Sequence, residues 1–133
     1  MLLISGIILL SVAIAEAQTM IGLPKEEVVE LVKQDHRDFR KDASVIKQRF
    51  NYLKYVNGLR TKTWILYFNE GDTCHVSKLV CDYGELDDVM KDINNRCKSV
   101  NDSTWTYQDG PATLQVELIR QEWYFTIRET RKE

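Results

Sequence analysis

The sequence predicts an α+β protein: an antiparallel sheet of about six strands with two helices on one face, in the order α-β-β-β-α-β-β-β. Three observations predict it. Apolar and polar residues alternate with period two in the last third of the chain, the mark of half-buried antiparallel strands. Two earlier segments carry apolar residues at helical spacing. Turn residues at Asn57-Gly58, Asn69-Glu70-Gly71-Asp72 and Asp109-Gly110-Pro111 separate the β-rich runs.

Taken in order, Ile21-Gly22-Leu23-Pro24 opens a helix over about 24–38, since Pro is tolerated in a first turn where its missing N–H costs nothing. Glu26 and Glu27 suit the positive end of the helix dipole. Val28, Leu31, Val32 and Phe39 make the apolar face, and Asp35-His36-Arg37-Asp38 a solvated end. Strands follow over 49–56 and 59–68. The Asn57-Gly58 pair between them predicts a two-residue type I′ turn, which would pair Val56 with Leu59, Tyr52 with Thr63 and Asn51 with Trp64. Leu53, Tyr55, Trp64, Leu66 and Phe68 then share one face; Phe50, Tyr52, Val56, Ile65 and Tyr67 share the other. A third strand spans 73–81. A second helix runs from Tyr83-Gly84 to about Arg96, with Leu86, Val89, Met90 and Ile93 as its stripe. Strands over 104–108, 113–119 and 122–129 complete the sheet. In the last of these Trp123, Phe125 and Ile127 alternate with Glu122, Tyr124, Thr126 and Arg128.

The N-terminus carries a different signal. Leu2 to Ala15 are all apolar or small, a run shorter than the roughly 20 residues that span a bilayer, and it ends in Ala15-Glu16-Ala17. That pattern predicts a signal peptide over 1–17, cleaved before Gln18, and an exported, periplasmic or extracellular protein without stable membrane insertion after cleavage. No Lys or Arg precedes the apolar run; a core helix or an uncleaved anchor are the alternatives. Residues 18–133 form a single domain with pseudo-repeat halves at about 21–82 and 83–129, each a helix, a hairpin and an aromatic strand. This comparison sets 64–68 opposite 123–127. The stretch Gly22-Leu23-Pro24-Lys25-Glu26-Glu27-Val28, followed by this twice-repeated order, resembles the β-lactamase-inhibitor and BamE-type exported α+β domains. The resemblance implies protein binding through a sheet face or loops. It departs from those domains in opening each repeat on one helix rather than two, and it carries over no functional residue.

The chain has 133 residues, 29% of them charged, with 18 Lys and Arg against 20 Asp and Glu. A net charge of −2 offers no basic footprint for nucleic acid. The chain contains no Gly-x-Ser-x-Gly elbow, phosphate loop, dinucleotide fingerprint, EF-hand or His-Glu-x-x-His motif. Asp88 and Asp92 share a helix face without a histidine at ligand spacing, so no metal and no cofactor are expected. The cysteines number three. Because the second helix returns antiparallel to the third strand, Cys97 should lie near Cys74, which predicts a Cys74–Cys97 disulfide; three buried free thiols are the alternative. Cys74 and His75 point to opposite faces of a strand and cannot form a nucleophile–base pair. Asn101-Asp102-Ser103 has the pattern of a glycosylation sequon.

What remains is the sheet face away from the helices, where Tyr52, Lys54, Ile65, Tyr67, Lys78, Tyr124 and Arg128 are expected, with Thr61, Thr63 and Thr126 among them. Tyr and Arg favour interaction hot spots, although strand propensity alone also places Tyr and Thr there. The expectation is a small exported, non-catalytic binding protein, monomeric or weakly dimeric, receiving a protein or small ligand on that face. The alternatives are an envelope enzyme working through a cysteine thiol and a structural or assembly module.

Overall fold

The computed structural model describes residues 19–43 and 50–133. The expected leader over 1–17, its cleavage before Gln18 and the Arg49 start of the first predicted strand lie outside them. Helix α1 spans Lys25–Asp35 and buries Val28 and Val32. Its start is pinned to the sheet: Gly22 N–H donates to the Cys74 carbonyl at 2.8 Å, and Lys25 N–H to the Asp72 carbonyl at 2.9 Å. At Gly22 the backbone takes φ +90°, open to glycine without steric cost. The helix stops at His36, whose φ of −129° leaves the helical region. Phe39 therefore does not extend the helical stripe. It begins a short strand, β1, Phe39–Lys41, and meets the Trp64 ring edge-on at 5.4 Å.

Strands β2 (Tyr52–Asn57), β3 (Lys62–Phe68) and β4 (Cys74–Asp82) form a meander. The β2–β3 turn is not the expected two-residue one. Asn57 is buried, and its Oδ1 accepts the N–H groups of Thr61 and Lys62, both at 2.9 Å, while Nδ2 donates to Thr61 Oγ1. This carboxamide holds a longer loop in which Arg60, not Gly58, takes positive φ. Tyr52 consequently pairs with Tyr67, and Val56 with Thr63. The pairing slips by four residues, an even number, so every side chain keeps its predicted face. The next turn follows expectation: Asn69 Oδ1 accepts from Gly71 N and Thr73 N, both at 3.0 Å.

A 3₁₀ turn, Tyr83–Glu85, leads into helix α2, Leu86–Arg96, which buries Val89 and Ile93. Four strands follow: β5 (Lys98–Asn101), β6 (Thr104–Asp109), β7 (Ala112–Arg120) and β8 (Tyr124–Arg131). Asp109 pairs with Ala112 across Gly110-Pro111, where Gly110 supplies φ +57°. Trp123 precedes β8 and is 80% exposed, so it is not the inward residue the alternation predicts; Phe125 and Ile127 are.

The sheet therefore has eight antiparallel strands, not about six, in the order β1-β2-β3-β4-β8-β7-β6-β5. The two additional strands are its edges, β1 and β5. Each helix precedes four strands, and β4 and β8 meet at the centre with Leu79 opposite Ile127. The third strand of the second set is β7, so 112–120, rather than 123–127, stands where 62–68 stands in the first. The registers put Leu53, Leu66, Leu79, Ile127, Leu118 and Trp105 on one face, and both helices pack on it. The core is divided in two. Val28, Val32, Leu53, Tyr55, Leu66 and Phe68 pack under α1; Val89, Ile93, Trp105, Val116, Leu118 and Phe125 pack under α2.

Candidate functional site: the bare face of the sheet

A hollow opens on each side of the sheet among the described residues. The first, of about 330 Å³, lies between the helices over Leu79 and Ile127. Its polar groups face one another. Glu129 accepts from Thr19 Oγ1 at 2.6 Å and from the Tyr107 hydroxyl. Trp64 Nε1 donates to Ser77 Oγ at 2.8 Å, and Arg96 pairs with Asp92 at 3.0 Å. Burial, and then the Glu129 carboxylate, push the Tyr107 hydroxyl pKa upward, so it stays a proton donor. His36 stands against Trp64 with ring centroids 4.9 Å apart. It is half-buried rather than on the solvated helix end expected for it, and that burial lowers its pKa, with Asp35 pulling the other way. No buried side-chain nitrogen or oxygen among the described residues lacks a partner.

The second hollow, of about 550 Å³, lies on the other side, which no described helix crosses. Strand register builds it. Tyr52 faces Tyr67 across β2–β3 with ring centroids 6.3 Å apart, and Tyr67 faces Val76 on β4. One row across four strands reads Lys54, Ile65, Lys78, Arg128. Of the seven residues the sequence places on this face, Tyr52, Ile65, Tyr67, Lys78 and Arg128 line the hollow. Lys54 stands on the same row beyond Ile65, engaged with Asp42 at 3.1 Å. Tyr124 lies away from it, opposite Asp82 at the start of β8. Phe50, Asn51, Phe68, His75 and Val76 complete the lining. Apart from Phe50, which the sequence sets on this face, they were not legible there, because a hollow at a sheet rim depends on the bulge between Tyr67 and Phe68 and on the Asn51 clamp. Asn51 accepts from Lys25 Nζ at 2.7 Å, its Nδ2 donates to Asp72, and its carbonyl accepts Phe68 N–H at 2.8 Å.

The electrostatics of this hollow are one-sided. Its lining includes Lys78, Arg128 and His75 and no carboxylate. Arg128 is paired with Glu117 on β7 at 3.4 Å. Lys78 Nζ lies 5.4 Å from the Tyr67 ring centroid, and no ion pair among the described residues involves it.

The cysteines form no disulfide: all three are free. Cys74 belongs to the core under α1 and Cys97 packs against that under α2, which replaces the expected Cys74–Cys97 bond. Burial pushes the Cys74 and Cys81 thiols up to about 12. No three metal-ligating side chains gather among the described residues.

Fold and hollow together define a class: an antiparallel platform backed by helices on one face and crossed by no described helix on the other. No protein-family model, curated protein sequence or solved structure matches this chain.

Proposed function

We propose that this is a small exported, non-catalytic binding protein that receives a partner on the bare face of its sheet. One observation carries the reading: the face that no described helix crosses holds a hollow of about 550 Å³ walled by Tyr52, Tyr67 and Ile65. Half-exposed rings offer large contact area at little rotameric cost, and a rigid sheet holds them in place. The apolar leader sequence supports export. The thiol-enzyme alternative is weakened by the raised pKa values of Cys74 and Cys81, since the thiolate is the nucleophile.

Site-specific photo-cross-linking in the native host tests the proposal. A benzoylphenylalanine at position 67 should give a discrete adduct, and one at Lys91, exposed on α2, should not. Replacing Tyr52 with Ala should remove the adduct from position 67 and leave thermal stability nearly unchanged. Equal adduct patterns from both positions would overturn the reading.

A further inference from the structure

We infer that the bare-face hollow selects an acidic protein segment that carries an aromatic ring, an inference that rests on the docking reading above. Charge complementarity inside an apolar frame supports it. Tyr52, Tyr67, Ile65 and Val76 supply walls for a ring. On those walls sit only positive or neutral polar groups. Arg128 already has Glu117, whereas Lys78 leans over Tyr67 without a carboxylate in ion-pair reach among the described residues. A carboxylate seated beside an aromatic ring would meet Lys78 while the ring stacks against the tyrosines. A cationic segment would meet like charge, and partly desolvated like charges repel more strongly than in open water. The neighbouring acids do not reverse this, because Asp42 and Glu117 are each engaged with a cation on the face, Lys54 and Arg128.

The test uses three capped tripeptides, Glu-Phe-Glu, Gln-Phe-Gln and Lys-Phe-Lys, titrated into the isotopically labelled full chain and followed by amide chemical shifts. The acidic peptide should perturb the amides of Tyr52, Tyr67, Val76 and Lys78 at about fivefold lower concentration than the neutral one, the ratio expected for a half-exposed charge pair. The cationic peptide should bind weakest. Salt at 1 M, where the Debye length is about 3 Å, should erase the preference. Lys78→Met should abolish the acid preference while the neutral peptide binds as before; Lys78→Gln serves the same purpose should Lys78→Met fail to fold. Equal binding of the acidic and neutral peptides at these residues would overturn the acidic selectivity and leave the docking face standing. Binding of free 3-phenylpropionate without binding of Glu-Phe-Glu would overturn the protein-segment assignment. Silence of the face toward all three peptides would overturn the inference outright, and the cross-linking at position 67 then judges the docking reading separately.

Discussion

The hollow between the helices and the hollow over Tyr52 and Tyr67 lie on opposite sides of one sheet and differ in what their polar groups do. Between the helices, Thr19, Tyr107 and Glu129 satisfy one another, as do Trp64 and Ser77. On the other side lie tyrosine rings and a lysine that no carboxylate among the described residues pairs with. A hollow whose hydrogen-bonding capacity is used internally has a structural task, because an incoming ligand would have to displace good bonds to gain equivalent ones. Apolar walls with an uncompensated charge gain from an occupant instead. Volume alone does not distinguish the two; the state of their polar groups does.

The sharpest way to break this comparison uses two adjacent residues. Leu66 and Tyr67 are neighbours in β3 that point to opposite faces, and Leu66 is wholly buried under α1. Leu66→Ala should cost about 2–5 kcal/mol, the range for deleting a packed side chain and leaving a cavity. Tyr67→Ala should cost under about 1 kcal/mol in stability and act on binding instead. Denaturant titration of both variants checks this. Equal losses would mean that the bare face is covered by packing and is no docking surface.

The inter-helix hollow gives the next largest effect. Glu129→Ala removes the acceptor of both Thr19 and Tyr107 and strands two partly buried hydroxyls. The expected loss is about 1–3 kcal/mol, read from the same titrations, with tripeptide binding on the opposite face unchanged. A variant that keeps full stability would show that this network does not hold the two halves of the core together.

A pH effect belongs to the same side. Burial lowers the His36 pKa below its ordinary value near 6.5, so in that region the unfolded chain binds more protons than the folded one. Stability is therefore complete above about pH 6.5 and falls as pH drops from there toward the folded-state value. His36→Gln should flatten this limb of a melting-temperature series between pH 8 and pH 5. Parallel curves for the two proteins would show that His36 is not the group responsible.

How far the sequence led depends on the range of the forces involved. The two helices, the paired faces and the shared face of Lys54, Ile65, Lys78 and Arg128 were legible, because burial imposes periods of 3.6 and 2 on the chain. Their alignment in one row was not, because it needs the β2–β3 register and the β4–β8 pairing. The edge strands were not. β5 is exposed at every residue and carries no alternation, and β1 has a single inward residue, Phe39, whose spacing also fits a helix. The hairpin register failed at Asn57, where a buried side chain outweighed the local preference of Asn-Gly. His36 failed for a similar reason, since only the tertiary contact with Trp64 takes it out of water. In the hollow itself the tyrosines and the facing of Phe50 were foreseeable and His75 was not, because rim geometry follows from a bulge that no periodicity announces.

Thiol chemistry distinguishes core from margin more gently. Cys74 and Cys81 are buried, while Cys97 is half-exposed beside Arg96, which counters part of the rise that burial gives its pKa. Iodoacetamide applied to the native protein at pH 8 should label Cys97 first and the other two only on unfolding, as intact-mass analysis would show. An unreduced Cys74–Cys97 peptide would contradict the free thiols.

The smallest stability effect carries the finest test of the comparison. Glu117 and Arg128 form a partly exposed pair at 3.4 Å, the sort that contributes about 0–1 kcal/mol. Glu117→Gln should therefore barely move the melting temperature. It should, however, leave Arg128 uncompensated on the rim of the bare-face hollow, beside Lys78 across the β4–β8 register. If an unspent positive charge is what makes this hollow receptive, a second one should tighten the acidic tripeptide severalfold and weaken the cationic one. Removing a surface carboxylate would then raise affinity at almost no cost in stability. The matching Asp92→Asn change frees Arg96 in the hollow between the helices, where the neighbouring polar groups are already paired, and should leave tripeptide binding untouched.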